Sequence, residues 1–178
     1  IFEDSHGNLW PALNEGIAKI EYHSPFTSYK KPSGLPGIAL SVAVHSPAGK
    51  LYAGTTSGLF QLTGAGAFQP LPGISSACWQ LLPFNNSILM AAEEGILQIE
   101  NNVKKNILAQ RSFALCRSQQ DKKRIWAGTI DGLVSLYLKE NRWTGEYRLE
   151  GIDREIRTIV EDRQGNLWLG TRTKGVLK

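Results

Sequence analysis

The stretch that decides the fold is Glu161-Asp162-Arg163-Gln164-Gly165-Asn166-Leu167-Trp168. The segment from Glu3 to Trp10 repeats it, with six of eight positions identical. Two weaker copies lie between them and end in Ala53-Gly54-Thr55 and Ala127-Gly128-Thr129, and a degraded copy surrounds Met90. Self-similarity of this kind indicates a repeat architecture, in which each copy is one supersecondary unit.

A glycine followed by an apolar residue closes each copy and sets the period. These glycines are separated by 42, 37, 37 and 43 residues, and they are Gly16, Gly58, Gly95, Gly132 and Gly175. A second marker, Leu-x-Gly-Ile, recurs out of phase with the first at residues 35–38, 71–74 and 149–152. Two markers that share one period of about 40 residues exclude leucine-rich repeats, which are shorter.

Each unit contains four short strand-like runs. A β-branched, mostly apolar run such as Ile156–Val160 leads through a glycine turn to the Trp-containing run. A second glycine turn leads to a third run such as Leu133–Tyr137, and a weaker fourth run carries aromatic residues. We find no convincing helical period over ten or more residues, so ankyrin and tetratricopeptide repeats do not fit.

Four strands in each repeat of about 40 residues predict an all-β protein, a β-propeller. The 178 residues supply about four and a half four-stranded blades, so we expect a fragment of a larger propeller with open edges. We predict one incomplete domain over 1–178, with approximate blades 1–37, 38–74, 75–111, 112–152 and 153–178.

The recurring residues have structural roles in this scheme. We expect flat aromatic side chains to fill the gaps between blades, namely Trp10, Tyr52, Trp126 and Trp168. Gly54, Gly128 and Gly170 would allow close approach of neighbouring sheets. Asp4 and Asp162 would bond the amides of their own turns, in which Gly7-Asn8 and Gly165-Asn166 would supply left-handed positions.

Composition and charge narrow the function classes. The net charge is +4, but the basic residues are scattered, so we predict no nucleic-acid partner. No run approaches the roughly 18 apolar residues of a membrane helix, so any membrane attachment would lie outside this chain. The chain opens at Ile1 and stops at Lys178 inside a strand-like run, and we expect further segments on both sides.

Chemistry-bearing residues give no enzyme signature. His6, His23 and His45 are dispersed, and Cys78 and Cys116 read as buried free thiols, so we predict no metal and no cofactor. Glu3-Asp4 and Glu161-Asp162 could be acid/base pairs, but a catalytic pair should occur once, and these recur with the repeat. We therefore expect a structural role for them and no catalytic residue.

The pattern Glu-Asp-x-x-Gly-Asn-Leu-Trp-x-Gly-Thr, followed by a glycine, resembles the two-component regulator propeller repeat. It is nearly complete from Glu161 to Gly175, while the first copy has Pro11-Ala12-Leu13 in place of Gly-Thr. The resemblance implies a periplasmic or extracellular sensor region of a signal-transduction receptor. The output domain, a histidine kinase or a diguanylate cyclase, is absent from this chain, and many members of the family sense saccharides.

Inner strands of a propeller converge, so their side chains are the candidate ligand contacts. Ser41, Trp79, Arg117 and Arg157 occupy roughly equivalent inner-strand places by sequence, and a Trp beside arginines suits an oligosaccharide, above all an acidic one. Two alternatives stay open: a propeller enzyme such as a lyase or lactonase, and a scaffold that binds protein. Adjacent blades or a homodimer partner are further candidate partners.

Overall fold

The computed structural model describes residues 1–5, 8–13, 15–20, 28–45 and 49–178. Two of the three histidines, His6 and His23, lie outside the described residues. Apart from one 3-10 turn at Lys31–Ser33, every described element is a β-strand. No described helix is long and apolar enough to cross a bilayer. The chain divides into two compact units, residues 1–30 and residues 31–178.

The first unit contains two short hairpins. One pairs β1 (Phe2–Glu3) with β2 (Leu9–Trp10), and the other pairs β3 (Ala12–Leu13) with β4 (Gly16–Ile17). Within the first hairpin the Asp4 carboxylate accepts a hydrogen bond from the Asn8 amide nitrogen at 3.0 Å. The turn therefore uses Asp4 as the sequence predicts.

The second unit consists of four antiparallel sheets, I to IV in chain order. Sheet I comprises β5 (Ala39–His45), β6 (Lys50–Thr55), β7 (Gly58–Leu62) and β8 (Phe68–Pro70). Sheet II comprises β9 (Cys78–Phe84), β10 (Ser87–Ala92), β11 (Gly95–Glu100) and β12 (Val103–Leu108). Sheet III comprises β13 (Ser112–Arg117), β14 (Arg124–Thr129), β15 (Gly132–Lys139) and β16 (Arg142–Arg148). Sheet IV comprises β17 (Ile156–Glu161), β18 (Leu167–Thr171) and β19 (Val176–Leu177).

Within each of these four sheets every strand pairs with the next along the chain, so the spatial order of strands follows the sequence order. The first strand of each sheet packs against the first strand of the next, which places β5, β9, β13 and β17 side by side. Over the described residues the sheets form a row that does not close into a ring. The prediction of an all-β, open propeller is confirmed, while the exact blade limits stay a prediction.

The core lies between the sheets. Sheet II is covered on both faces, and every residue of β10 is buried. A strand that is buried on both faces needs no polar residues on alternate positions. This explains why the degraded copy around Met90 is a continuous apolar run instead of an alternating one.

Two of the predicted aromatic residues fill the gaps between sheets, and one does not. Tyr52 is buried between sheets I and II. Trp126 packs against the cluster of Leu133, Ile156 and Leu169 at the boundary of sheets III and IV. Trp168 stands at the same register position of sheet IV but is 41% exposed. The prediction that Trp168 wedges against a neighbouring unit is wrong for this chain, because no described sheet covers that face of sheet IV.

The glycines at the ends of the second strands permit close approach between sheets at two places. A Cβ atom at Gly54 would lie 2.2 Å from the Cys78 sulfur, and one at Gly128 would lie 2.7 Å from the Ile156 carbonyl oxygen. At Gly170 the clash is with Thr158 of the same sheet. The predicted role is confirmed at the first two positions and differs at the third.

Trp126 and Trp168 offer a matched pair for testing the packing. We expect Trp126→Ala to lower the free energy of unfolding by about 3 kcal/mol, because it leaves a cavity between sheets III and IV. Trp168→Ala should cost about 1 kcal/mol, because it removes chiefly one hydrogen bond on an exposed face. Urea unfolding of both variants measures the difference, and equal losses would contradict the packing assigned to Trp126.

Candidate functional site

A register irregularity near the start of each first strand defines one position shared by the four sheets. In sheet III, Ser112 pairs with Thr129 and Ala114 with Gly128, so the residue between them is unpaired. The same irregularity occurs in the other sheets, and the unpaired residues are Leu40, Trp79, Phe113 and Arg157. A β-bulge re-aims the side chain of its extra residue, so these four residues project from equivalent places.

Three of these residues come together, and we call them the inner-strand cluster: Trp79, Phe113 and Arg157. The guanidinium carbon of Arg157 lies 4.0 Å from the ring centre of Phe113 and 5.3 Å from that of Trp79. The two rings meet edge to face with their centres 5.5 Å apart. A cation over aromatic faces is attracted to the ring quadrupole, so the guanidinium is held in a defined orientation.

Charged groups next to the inner-strand cluster leave it with excess positive charge. Glu155, whose side chain is 12% exposed, forms ion pairs with both Arg157 and Arg172, the latter at 3.2 Å between Nη1 and Oε2. Two guanidinium groups therefore share one carboxylate. Glu155 can balance only one of the two positive charges. The remaining positive charge favours binding of an anionic ligand group.

The cluster also contains an unsatisfied hydrogen-bond donor. The indole nitrogen of Trp79 is buried and has no hydrogen-bond partner among the described residues. A buried donor without an acceptor costs about 1–3 kcal/mol. A ligand oxygen that displaced the groups covering this nitrogen would recover part of that free energy, so the cluster holds a donor that a ligand could satisfy.

The structure brings together only two of the four residues that the sequence places at equivalent positions. Trp79 and Arg157 share the bulge position. Ser41 lies one residue beyond it, and its hydroxyl accepts a hydrogen bond from the Leu81 amide at 2.9 Å, joining sheets I and II. Arg117 lies at the far end of β13, with its guanidinium 4.9 Å from the ring centre of Phe84. The predicted equivalence is wrong for Ser41 and Arg117, and ligand contact by Trp79 and Arg157 stays a prediction.

Sequence reasoning missed Phe113, Glu155 and Arg172. The hairpins between first and second strands differ in length: two residues separate β9 from β10, whereas six separate β13 from β14. A fixed number of residues before each glycine marker therefore does not lead to the same position of every first strand. Aligning the starts of the first strands would have placed Phe113 with Trp79, because each is the second residue of its strand.

The two carboxylates of the Glu-Asp motif are committed to structural hydrogen bonds. Glu161 is 4% exposed and accepts hydrogen bonds from the Ser118 hydroxyl at 3.2 Å and the Gln119 amide at 2.6 Å, across the boundary between sheets III and IV. Asp162 accepts from the amide of Asn166 at 2.8 Å and from the indole of Trp168 at 3.0 Å. These contacts support the structural interpretation of the pair.

The turn after Asp162 differs from the prediction in one residue. Gly165 has a φ of 84° and takes the left-handed position, as expected. Asn166 does not have a positive φ, and it contributes instead through its side-chain nitrogen, which donates to Asp162 at 2.9 Å. Asn166 therefore stabilises the turn by a side-chain hydrogen bond instead of by left-handed backbone geometry.

The cysteines and the described ionisable groups do not form a metal centre. Among the described residues no group of three or more His, Cys, Asp or Glu side chains could hold a metal ion. Cys78 and Cys116 are free, the first buried and the second half-buried. Burial raises the pKa of the Cys78 thiol to about 12 and also raises that of Cys116, so neither is a ready thiolate.

Antiparallel four-stranded sheets stacked by their first strands define the chain as a β-propeller. Residues 150–173 match the family described as two component regulator propeller, so the resemblance read from the sequence is confirmed at this copy. No curated protein matches the chain.

Solved structures with this fold include extracellular domains from B. thetaiotaomicron. One, from a protein assigned as the hybrid two component system BT3049, is 22% identical with a TM-score of 0.72 over 98% of this chain and 26% of that one. Another, assigned to BT4673, is 20% identical with a TM-score of 0.67 over 95% of this chain and 25% of that one. The chain thus spans about a quarter of the length of these domains.

Propeller enzymes are also among the similar folds. The virginiamycin B lyase from Staphylococcus aureus, solved as an inactive variant with quinupristin, is 13% identical. Its TM-score is 0.55 over 99% of this chain and 67% of that one. At this identity the likeness shows the fold alone.

The hydrogen bonds to Asp162 predict an unusual titration. Bonds from Asn166 and Trp168 to the ionised form lower the pKa of the Asp162 carboxyl from 3.8 to about 2. Because the folded-state pKa is depressed, its contribution to stability is full above pH 3.8 and is lost as the pH falls through about 2. The indole N–H resonance of Trp168 should therefore titrate with a midpoint near pH 2, and a midpoint near 4 would contradict the assigned bonds.

The stacking in the inner-strand cluster predicts a specific spectroscopic change. In protein labelled with 5-fluorotryptophan, Arg157→Ala should shift the Trp79 resonance, assigned through Trp79→Phe, and leave that of Trp168 unchanged. Arg172→Ala is the matched control, because it removes an ion pair to Glu155 but no contact with the rings. Equal shifts from both variants would contradict the stacking geometry.

Proposed function

We propose that this chain is part of the extracytoplasmic ligand-sensing propeller of a signal-transduction receptor, and that the inner-strand cluster contacts the ligand. The observation that carries the proposal is the convergence of Trp79, Phe113 and Arg157 at one position of three successive sheets. The two-component regulator propeller repeat at residues 150–173 and the fold shared with extracellular domains of two-component proteins support the sensor role.

The chemistry of the cluster favours an acidic saccharide as ligand. Aromatic faces pack against the apolar faces of sugar rings, and a guanidinium binds a carboxylate or sulfate through paired hydrogen bonds. The buried indole nitrogen of Trp79, which has no partner among the described residues, would donate to a ring or hydroxyl oxygen of a ligand that displaced the groups covering it. The three residues lie on three different sheets, so a ligand that contacts all of them would change how these sheets pack on one another. That change in packing would be the signal.

Calorimetric titration of the chain with acidic oligosaccharides tests the proposal. Oligogalacturonates and heparin-derived tetrasaccharides are suitable probes, with neutral tetrasaccharides for comparison. We expect saturable binding of an acidic probe, weakened about tenfold or more by Arg157→Ala, because a charge-assisted hydrogen bond contributes about 1.5–3 kcal/mol. Trp79→Ala should weaken the same binding.

Controls separate a lost contact from a lost fold. Arg154→Ala changes a neighbouring arginine whose ion pair among the described residues is with Asp153, at 3.6 Å, and should leave binding unchanged. Silence with every acidic probe, or binding that Arg157→Ala does not affect, would refute the assignment of the cluster.

A propeller enzyme is the alternative that the lyase folds raise. Elemental analysis of the purified chain tests the metal-dependent form of this alternative, since such an enzyme requires convergent metal ligands. Stoichiometric divalent metal would favour the enzyme.

A further inference from the structure

A polar cleft lies at the opposite end of the first strands from the inner-strand cluster. It has a volume of about 490 Å³ and is formed where three hairpin turns of sheets II and III meet, the β9–β10, β11–β12 and β15–β16 turns. That volume is within the range of small-molecule sites, roughly 300–1,000 Å³. Phe84, which contributes to its floor, is five residues from Trp79 on β9, or roughly 17 Å at 3.3 Å per residue. The two sites are therefore separate.

Primary amides dominate the walls of the cleft. Four asparagines from the three turns line it, namely Asn85, Asn86, Asn101 and Asn141. None of these four side chains makes a hydrogen bond to another described residue. Turn geometry accounts for part of this pattern, since Asn85, Asn101 and Asn141 have φ of 51°, 50° and 60°. It does not account for Asn86, nor for the convergence of turns from two sheets on one cavity.

A fifth amide is fixed in the floor. The Gln98 side chain accepts a hydrogen bond from the Trp143 indole at 3.2 Å and donates one to the Ser87 hydroxyl at 3.1 Å. Trp143 in turn packs on Phe84 with ring centres 5.0 Å apart. The floor is therefore rigid, while the amides at the rim are free to bind a ligand.

The lining selects among ligand classes by its chemistry. Each primary amide offers two donors and one acceptor, which matches the hydroxyl groups of a sugar, because a hydroxyl both donates and accepts. The charged residues of the lining are one lysine, Lys105, and one glutamate, Glu100. Their charges cancel, so the lining has no net charge that would attract an anion. An apolar ligand would desolvate the amides without replacing their hydrogen bonds.

We propose that this cleft, the amide cleft, is a second ligand site that takes a neutral, hydroxyl-rich saccharide segment. The site does not rest on the proposed function, because it involves neither the inner-strand cluster nor a charged ligand. A protein with both sites would bind an uncharged part of a glycan in the amide cleft and a charged part at the inner-strand cluster, at opposite ends of its first strands.

Nuclear magnetic resonance of the full chain tests this proposal. The side-chain NH₂ signals of ¹⁵N-labelled protein are followed during titration with cellotetraose, xylotetraose, mannotetraose and maltotetraose. At least one of these probes should shift the signals of the cleft asparagines saturably. The double variant Asn101→Gly, Asn141→Gly should weaken that binding about tenfold, because it removes two hydrogen-bonding amides while glycine accepts the left-handed backbone.

Asn102→Gly is the matched control, since Asn102 lies in the same turn with φ of 64° but does not line the cleft. It should leave the affinity unchanged. If the double variant does not fold, Asn86→Ala and Lys105→Ala test the same walls without a left-handed position. No saturable shift with any probe, binding unaffected by the cleft variants, or shifts confined to Trp79 would overturn the proposal. The last outcome would leave the proposed function intact.

Discussion

The packing of each sheet on the next, first strand beside first strand, is the constraint on which the rest of the structure depends. A single four-stranded sheet of this size cannot bury an apolar face alone, and burial comes from its neighbours. Sheet II shows the result most clearly, because it is covered on both faces and its β10 strand is wholly buried. Sheet IV shows the reverse, with Trp168 left 41% exposed.

The same packing determines the geometry of the inner-strand cluster. Immediately after the bulge, Gln80 accepts a hydrogen bond from the Leu115 amide at 2.8 Å and donates one to the Leu115 carbonyl at 3.0 Å. Ser41 makes the corresponding contact with Leu81. These bonds tie adjacent first strands together next to the bulge, so the side chains of the bulge residues are held at fixed distances. A ligand that altered those distances would act on the contacts between sheets.

The fold could be read from the sequence because its markers repeat. The Glu-Asp-x-x-Gly-Asn-Leu-Trp motif predicted the Asp162 turn, and the period of its glycines predicted a series of small antiparallel sheets. The site was predicted only in part, because it depends on register. Trp79 and Arg157 share the bulge position, while their contact with a ligand stays a prediction. Ser41 lies one residue beyond that position, and Arg117 lies farther along its strand because the hairpin in sheet III is longer. The amide cleft gave no sequence signal, because its asparagines come from turns that are distant in the chain and are each explained locally by turn chemistry.

The contact between Gly54 and Cys78 has a consequence for how the sequence can change. The Cys78 sulfur occupies the space that a side chain at residue 54 would need, so a larger residue at one position requires a smaller one at the other. The two sites should therefore vary together among related chains. Gly128 has no such freedom, because its nearest neighbour is the carbonyl oxygen of Ile156, which no substitution at that residue removes.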